Sequence, residues 1–219
     1  MKPEFWQYEL LTRWRDASGS HDEPFCIGER IKKGTFRPCL TEAIPCSSIV
    51  GALRARLGIG YDRELIAVGY IDRFDRTDYA VTAPSDVALG TVKAPAPITV
   101  QFLTGVVGRV FVDVSDEAVR DDLEREGREF EISIGALKST GYGRCLLRRL
   151  PDAVHVDMIE GKLRSRIPEK LKDRFGIAEV TKPIYGYLFE PIDSVTGSYV
   201  RALYEGSFVQ GYRFLVEGK

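Results

Sequence analysis

Ile49, Leu53 and Leu57 recur every four residues within Ile44-Pro-Cys-Ser-Ser-Ile-Val-Gly-Ala-Leu-Arg-Ala-Arg-Leu-Gly58, and that spacing fixes a helix with a single buried stripe. Val50 can join the stripe, Ser47 or Ser48 suits the N-cap, and Gly58 stands where a helix stops. Gly51 in the helix interior costs about 1 kcal/mol against alanine, which argues for close packing or a close ligand at that point. Arg54 and Arg56 leave the stripe. A helix with one apolar side must lie against another layer, and the flanking sequence supplies a sheet.

Residues 4–14 alternate, with Trp6, Tyr8, Leu10 and Trp14 on one side and Gln7, Glu9 and Arg13 on the other, the pattern of a half-buried strand. Residues 15–46 lose periodicity and carry Gly19, Pro24, Gly28, Gly34 and Pro38. They read as a long loop holding a short hairpin around Phe25 to Phe36; loops of that length are usually functional or poorly ordered. After the helix comes a strand at 64–71, then an irregular insertion at about 72–97 with the spacers Pro84, Pro95 and Pro97. Strands at 98–103 and 106–114 precede an acidic helix over 116–126, capped by Ser115, with Val119 and Leu123 inward and Gly127 past its end. Strands at 128–134 and 144–150 flank a glycine-rich run. The order is β-α-β-β-α-β, an α+β arrangement of the split βαβ or ferredoxin-like kind. Residues 151–182 hold one short helix opened by Pro168 and closed by Gly176, and 183–216 is aromatic-rich strand sequence. The expected organisation is a ferredoxin-like domain over 1–150 with the insertion at about 72–97, and a β-rich C-terminal extension over 151–219 packed on it.

With 44% hydrophobic and 29% charged residues, the composition is that of a soluble globular protein. The net charge of −1 does not by itself imply a nucleic-acid partner. The distribution is less even: acids crowd Asp113 to Glu131, while bases collect at Arg54/Arg56, Lys138 to Arg149 and Lys162 to Arg166. Such patches fit either a local polyanion site or ordinary solvated faces. No apolar run approaches a membrane span, and Met1 to Leu10 lacks the order of a signal peptide. Cys26, Cys39, Cys46 and Cys145 form no Cys-x-x-Cys pair, and the histidines are His21 and His155. Reduced, buried thiols in a cytoplasmic protein are expected, with no metal and no cofactor; a Cys26/Cys39/Cys46/His21 cluster is the conceivable exception.

Ile134-Gly-Ala-Leu-Lys-Ser-Thr-Gly-Tyr-Gly-Arg144 places Gly135, Gly141 and Gly143 among Lys138, Ser139, Thr140, Tyr142 and Arg144. Successive exposed N–H groups in such a bend can cradle an anion, with Lys138 and Arg144 adding charge and Tyr142 a flat ring. The same residues also suit a plain hairpin turn. The run is neither a Walker loop nor a dinucleotide fingerprint, because the glycine and lysine spacings differ.

The segment Pro45-Cys-Ser-Ser-Ile-Val-Gly-Ala-Leu-Arg54 and the glycine run together resemble the RAMP superfamily of CRISPR-associated proteins. Members of that superfamily have RRM-like ferredoxin folds, a Pro-x-Ser-Ser-x-x-Gly-x-x-Arg-like helix start and a glycine-rich loop beside the second helix. The chain departs from the pattern at Cys46, where the family commonly has glycine, and shows no RRM-like aromatic platform motif. A mid-chain glycine loop and modest length look most like the Cas-five-type subunit that caps the 5′ handle of the guide RNA, and the C-terminal tyrosines are similar to the type IV version. The resemblance implies a CRISPR RNA-binding structural subunit of a class 1 effector complex, with guide RNA, a Cas-seven-type backbone subunit and the large subunit as partners. Target nucleic acid would be met indirectly. It also implies RNA contacts from Ser47, Ser48 and Arg54 at the helix, and from Gly135, Lys138, Ser139, Gly141, Tyr142, Gly143 and Arg144 in the loop. Phe74, Arg73 and Arg76 of the insertion become candidates to touch the guide or a neighbour, or form a solvated loop. For Tyr185, Tyr187, Tyr199, Tyr204 and Tyr212, strand packing is expected ahead of base stacking.

Some superfamily members cut RNA, which calls for a histidine or a Lys/Tyr set near a 2′-OH. His21 and His155 follow no recognisable catalytic pattern, so no catalytic residue is assigned and a binding subunit is expected. His21 with Asp22, or Tyr142 with Lys138, leaves a repeat-cleaving endoribonuclease as the alternative. An RNA-independent ferredoxin-like ligand-binding domain is the other.

Overall fold

A computed structural model of the chain describes residues 3–28, 36–82, 98–135, 137–138, 141–151, 154, 156–193 and 195–218. Ser139, Thr140, His155, Pro84, Pro95 and Pro97 lie outside the described residues. In chain order the strands are β1 (Phe5–Leu11), β2 (Arg13–Asp16), β3 (Gly19–Asp22), β4 (Phe36–Arg37), β5 (Ala43–Ile44), β6 (Ala67–Arg73), β7 (Arg76–Thr82), β8 (Ile98–Thr104) and β9 (Val107–Asp113). They continue with β10 (Glu129–Ser133), β11 (Arg144–Arg149), β12 (Met158–Leu163), β13 (Ile167–Pro168), β14 (Glu179–Lys182), β15 (Tyr185–Pro191), β16 (Gly197–Leu203), β17 (Phe208–Tyr212) and β18 (Val216–Gly218). The helices are α1 (Cys46–Leu57) and α2 (Glu117–Glu126), and the fold class is α+β.

The main sheet runs β10-β11-β1-β9-β6-β5, with every neighbouring pair antiparallel. β1 lies inside it because Tyr8 and Leu10 alternate with polar neighbours and pair with Val110 and Gly108 on one side. On one face Tyr8, Leu10, Val110, Val112 and Leu147 meet Ile49 and Leu53 of α1 and Val119 and Leu123 of α2. Fully burying one such side chain contributes about 1.5–3 kcal/mol. The opposite face carries Phe5, Val68, Tyr70 and Phe111, and these are covered by Leu163, Phe175, Leu203, Val209 and Leu215 from the C-terminal segment. Over β9 and β6 both faces of the sheet are therefore covered, whereas Glu129 of β10 and Arg148 of β11 stay exposed.

The C-terminal segment forms two further sheets, β14-β17-β12-β18 and β13-β16-β15. It is also pinned by polar contacts. Arg174 reaches buried Asp113 at 2.7 Å, the Ser165 hydroxyl donates to the Ile44 carbonyl at 3.0 Å, and the Cys46 amide donates to the Arg166 carbonyl at 3.2 Å.

Local chemistry explains where the elements depart from expectation. Helix α1 is entered at Pro45, whose φ of −57° is preset for the turn, and no side chain caps it. Ser47 and Ser48 fall inside the first turn, so neither is the cap. Asp116, not Ser115, caps α2 by accepting from the Ala118 amide at 2.9 Å. Ser115 instead accepts from the Glu4 amide. The strand expected over 4–14 breaks at Thr12, which exchanges hydrogen bonds with Val106, and the chain then turns into the β2–β3 hairpin. The following loop is anchored by Phe25, fully buried and bridged to Leu103. Within the supposedly irregular insertion, Thr77, Tyr79 and Val81 alternate on β7, which pairs with β8. The short helix after Pro168 is two 3-10 turns, Glu169–Leu171 and Asp173–Phe175, ended by Gly176 in the left-handed region. Packing holds Tyr204 and Tyr212, but Tyr187 and Tyr199 are 66% and 53% exposed, and Tyr185 is also exposed. Strand packing thus accounts for only part of that tyrosine set.

Candidate nucleic-acid interface

The glycine loop joins β10 to β11 and folds back on the protein. Gly135, Gly141 and Gly143 have φ of 89°, 88° and 80°. A side chain on Gly135 would run into the Cys26 carbonyl, and one on Gly143 into the Ile134 carbonyl. The Gly143 amide donates to the Pro24 carbonyl at 2.8 Å, the Tyr142 amide to Leu137 at 3.3 Å and the Gly141 amide to Lys138 at 3.2 Å. These three N–H groups are engaged within the protein and are not free for an anion. Two of the glycines serve close backbone approach instead.

The side chains divide. Lys138 is exposed and forms no ion pair among the described residues. It borders a cleft of about 290 Å³ shared with Ala52, Ala55 and Arg56 of α1 and with Arg144. Arg56 is held by Glu126 at 2.6 Å. Arg144 makes a bidentate pair with Glu131 at 2.7 and 3.0 Å, lies 3.6 Å from Glu23 and sits 5.5 Å from the Trp14 ring centroid. Its charge is compensated in place. Tyr142 is half-buried with its ring edge-on to Phe102, centroids 5.5 Å apart at 88°.

At helix α1, residues one turn apart share a face. Ser48 is in line with Ala52 and Ala55, the face that meets the Lys138 cleft. Ser47 is in line with Gly51 and Arg54, which border a second cleft of about 390 Å³ with Tyr61, Lys170, Leu188 and Glu190. The helix therefore stands between two clefts, and the sequence-predicted site is split across it. An added methyl on Gly51 would meet nothing within 4 Å, so internal packing does not require glycine there. Arg54 donates to the Gly60 and Arg63 carbonyls and lies 5.4 Å from the Tyr61 ring centroid, closing the loop after the helix; burial lowers its pKa. The Cys46 amide is taken by Arg166 and the Ser48 amide by Pro45.

Next to Arg144, Trp14 stacks on His21, centroids 4.7 Å apart at 17°. His21 faces Asp16 at 3.1 Å, not Asp22, which pairs with Arg13. The Ser18 hydroxyl and the Asp16 carboxylate meet the same His21 nitrogen, Nε2, while the Glu23 carboxylate lies 3.9 Å from Nδ1, beyond hydrogen-bond reach. Hydrogen bonds from Ser18 and then His21 hold the Asp16 carboxyl well below its ordinary pKa. All four cysteines are free and buried. Burial pushes the Cys46 thiol up to about 12, and Cys39 is raised by its hydrogen bond to Cys26 and by burial. Among the described residues, no group of three His, Cys, Asp or Glu could hold a metal ion. Nor is any described helix long and apolar enough to cross a membrane.

Sequence reasoning did not anticipate the Trp14–His21–Arg144 cluster or the cleft between α1 and the β15–β16 hairpin. The alternation that places Trp14 on a strand was visible; His21 comes from a segment without periodicity and Arg144 from the end of the glycine run.

No protein-family model matches the sequence, and no curated protein matches it either. Solved structures do. A chain in the cryo-EM structure of the type III-B Cmr-beta bound to cognate target RNA and AMPPnP aligns over 92% of this chain and 86% of its own, with a TM-score of 0.55 at 12% identity. The chain shares that fold. A second structure, of the type III-B Cmr-beta bound to cognate target RNA, gives 93% and 86% coverage, TM-score 0.55 and 13% identity. A chain of a CRISPR RNA-guided surveillance complex aligns over 98% and 93% at 16% identity, with a TM-score of 0.46 that is too low to fix the fold.

Proposed function

We propose that this protein is a non-catalytic, guide-RNA-binding structural subunit of a class 1 CRISPR effector complex in the cytoplasm. In this reading it caps the 5′ handle of the guide and touches a Cas-seven-type backbone subunit and the large subunit. The central strands β11-β1-β9-β6, with α1 and α2 on one face, are read as a ferredoxin-like domain, 1–150, that carries the RNA contacts, with the extension, 151–219, packed on it. The observation that carries the proposal is the cleft lined by Lys138 of the glycine loop, which has no ion pair among the described residues, and by the small residues Ala52 and Ala55 of α1. Small residues let a sugar-phosphate backbone come close to the helix, and an unpaired ammonium supplies the charge. The fold shared with the Cmr-beta chains supports the same reading.

The test is expression with and without guide RNA, followed by ultraviolet absorbance of the purified protein and salt-dependent binding of the guide. Lys138→Ala should flatten the plot of log affinity against log salt by about 0.7, one single-strand phosphate contact. Arg144→Ala should act mainly on stability, because it strands Glu131. An unchanged salt slope for Lys138→Ala, or no RNA retained, would leave the loop as a turn and favour an RNA-independent ligand-binding domain. Cleavage of repeat RNA by wild type, abolished in His21→Ala, would replace this reading by an endoribonuclease.

A further inference from the structure

Another cleft, of about 570 Å³, opens at the opposite end of β11 from the glycine loop, walled in part by Phe5, Trp6, Leu150 and Val154. Arg128 and Arg149 line it, brought together by the hydrogen bond from the Arg149 amide to the Arg128 carbonyl at 2.7 Å. The Arg149 guanidinium lies over the Trp6 ring, 3.2 Å from its centroid. That contact holds the guanidinium against the cleft wall, where a planar, permanently charged group with forked donors suits a phosphate.

The charges here are unbalanced. Neighbouring Arg148 is paired with Glu129 at 2.6 Å, and Arg166 with Glu205 at 2.7 Å. Arg128 and Arg149 have no carboxylate within ion-pair distance among the described residues. Glu4, the acidic residue of the cleft, is occupied by Arg120 at 2.7 Å. Arg128 and Arg149 both line the cleft, and an anion bound there would meet their positive charge and the forked donors that suit phosphate. The apolar wall and the stacked guanidinium suit a base, since unpaired bases stack on arginine planes.

We propose that this cleft binds a phosphorylated nucleotide of an RNA, as a site separate from the glycine loop. β11 runs from Arg144 at the loop to Arg149 at the cleft, about 16 Å at strand rise. The inference stands without the glycine-loop reading, because its residues and its readout are different.

Trp6 and Trp14 are the two tryptophans of the chain, so Trp14→Phe leaves Trp6 as the reporter. The probes are AMP, adenosine, inorganic phosphate, and trinucleotide RNAs with a 5′-phosphate or a 5′-hydroxyl. AMP should quench Trp6 emission saturably, and adenosine should bind about ten-fold more weakly or worse. Arg149→Gln and Arg128→Gln should each weaken AMP by about ten-fold, whereas Lys138→Ala should not change it. Arg128 is exposed, so its variant keeps the fold, which a thermal melt checks. Calorimetry on the unaltered chain gives the same comparisons should Trp14→Phe fail to fold. Preference for the 5′-phosphorylated RNA would assign the site to a strand end, and equal binding of the two RNAs to an internal phosphate; either supports the proposal. Equal affinity for adenosine and AMP, indifference to both arginine variants, or no response to any probe would overturn it.

Discussion

Replacing Gly143 by alanine probes the geometry that shapes the glycine loop. Its φ of 80° already costs an L-residue about 1–2 kcal/mol. The new methyl would be driven into the Ile134 carbonyl, which is backbone and cannot rotate away. Relieving such an overlap costs about 1–3 kcal/mol more. The sum, about 2–5 kcal/mol, is a large share of the roughly 5–15 kcal/mol that holds a domain folded. For a chain of this size it lowers the melting temperature by about 5–20 °C. Gly141 is the internal control: its φ is 88°, yet a methyl there meets nothing within 4 Å. Gly141→Ala should therefore lose only the conformational part, about 1–2 kcal/mol. Urea titrations of both variants followed by circular dichroism separate the two. If Gly141→Ala proved as destabilising as Gly143→Ala, the close approach to Ile134 would not be what fixes the loop.

Gly51→Ala should stabilise by about 1 kcal/mol in the same assay, since α1 gains a better helix former and the methyl points into open space. Arg174→Ala should cost about 1.5–3 kcal/mol by leaving Asp113, 3% exposed in its side chain, with the Ser115 amide as its one partner among the described residues. The Cys46 thiol should resist thiol reagents in the native state and react on denaturation. Because its folded pKa of about 12 lies above the ordinary value of 9.0, its contribution to stability is whole below about pH 9 and fades as pH rises toward 12, which alkaline melting curves would show.

Much of the fold could be read from periodicity. The four-residue spacing of Ile49, Leu53 and Leu57 located α1, and alternation located β1 and β9, because those patterns record which side of an element is buried. Caps were misassigned where two candidates adjoin: Ser115 and Asp116 both suit a helix start, and only the backbone path selects Asp116. The site was less legible. Lys138 and the small face of α1 do meet, but Arg54 and Arg144 look free in sequence and are engaged by partners distant in the chain or by backbone carbonyls. Spacing shows which residues carry charge; it does not show which charges are already neutralised. Trp6 and Arg149, directly in contact, are separated by about two thirds of the chain, so no local pattern could join them.

The C-terminal strands lie over Phe5, Val68, Tyr70 and Phe111, on the side of the sheet away from the helices. In a single-sheet RNA reader that surface would offer flat rings to successive bases. A polynucleotide bound as proposed above would be left with helix flanks, loop rims and strand ends, where contacts would fall on phosphate and ribose more than on base edges. Such a protein would grip many sequences with similar strength, and discrimination among them would have to come from whatever else is assembled around the strand.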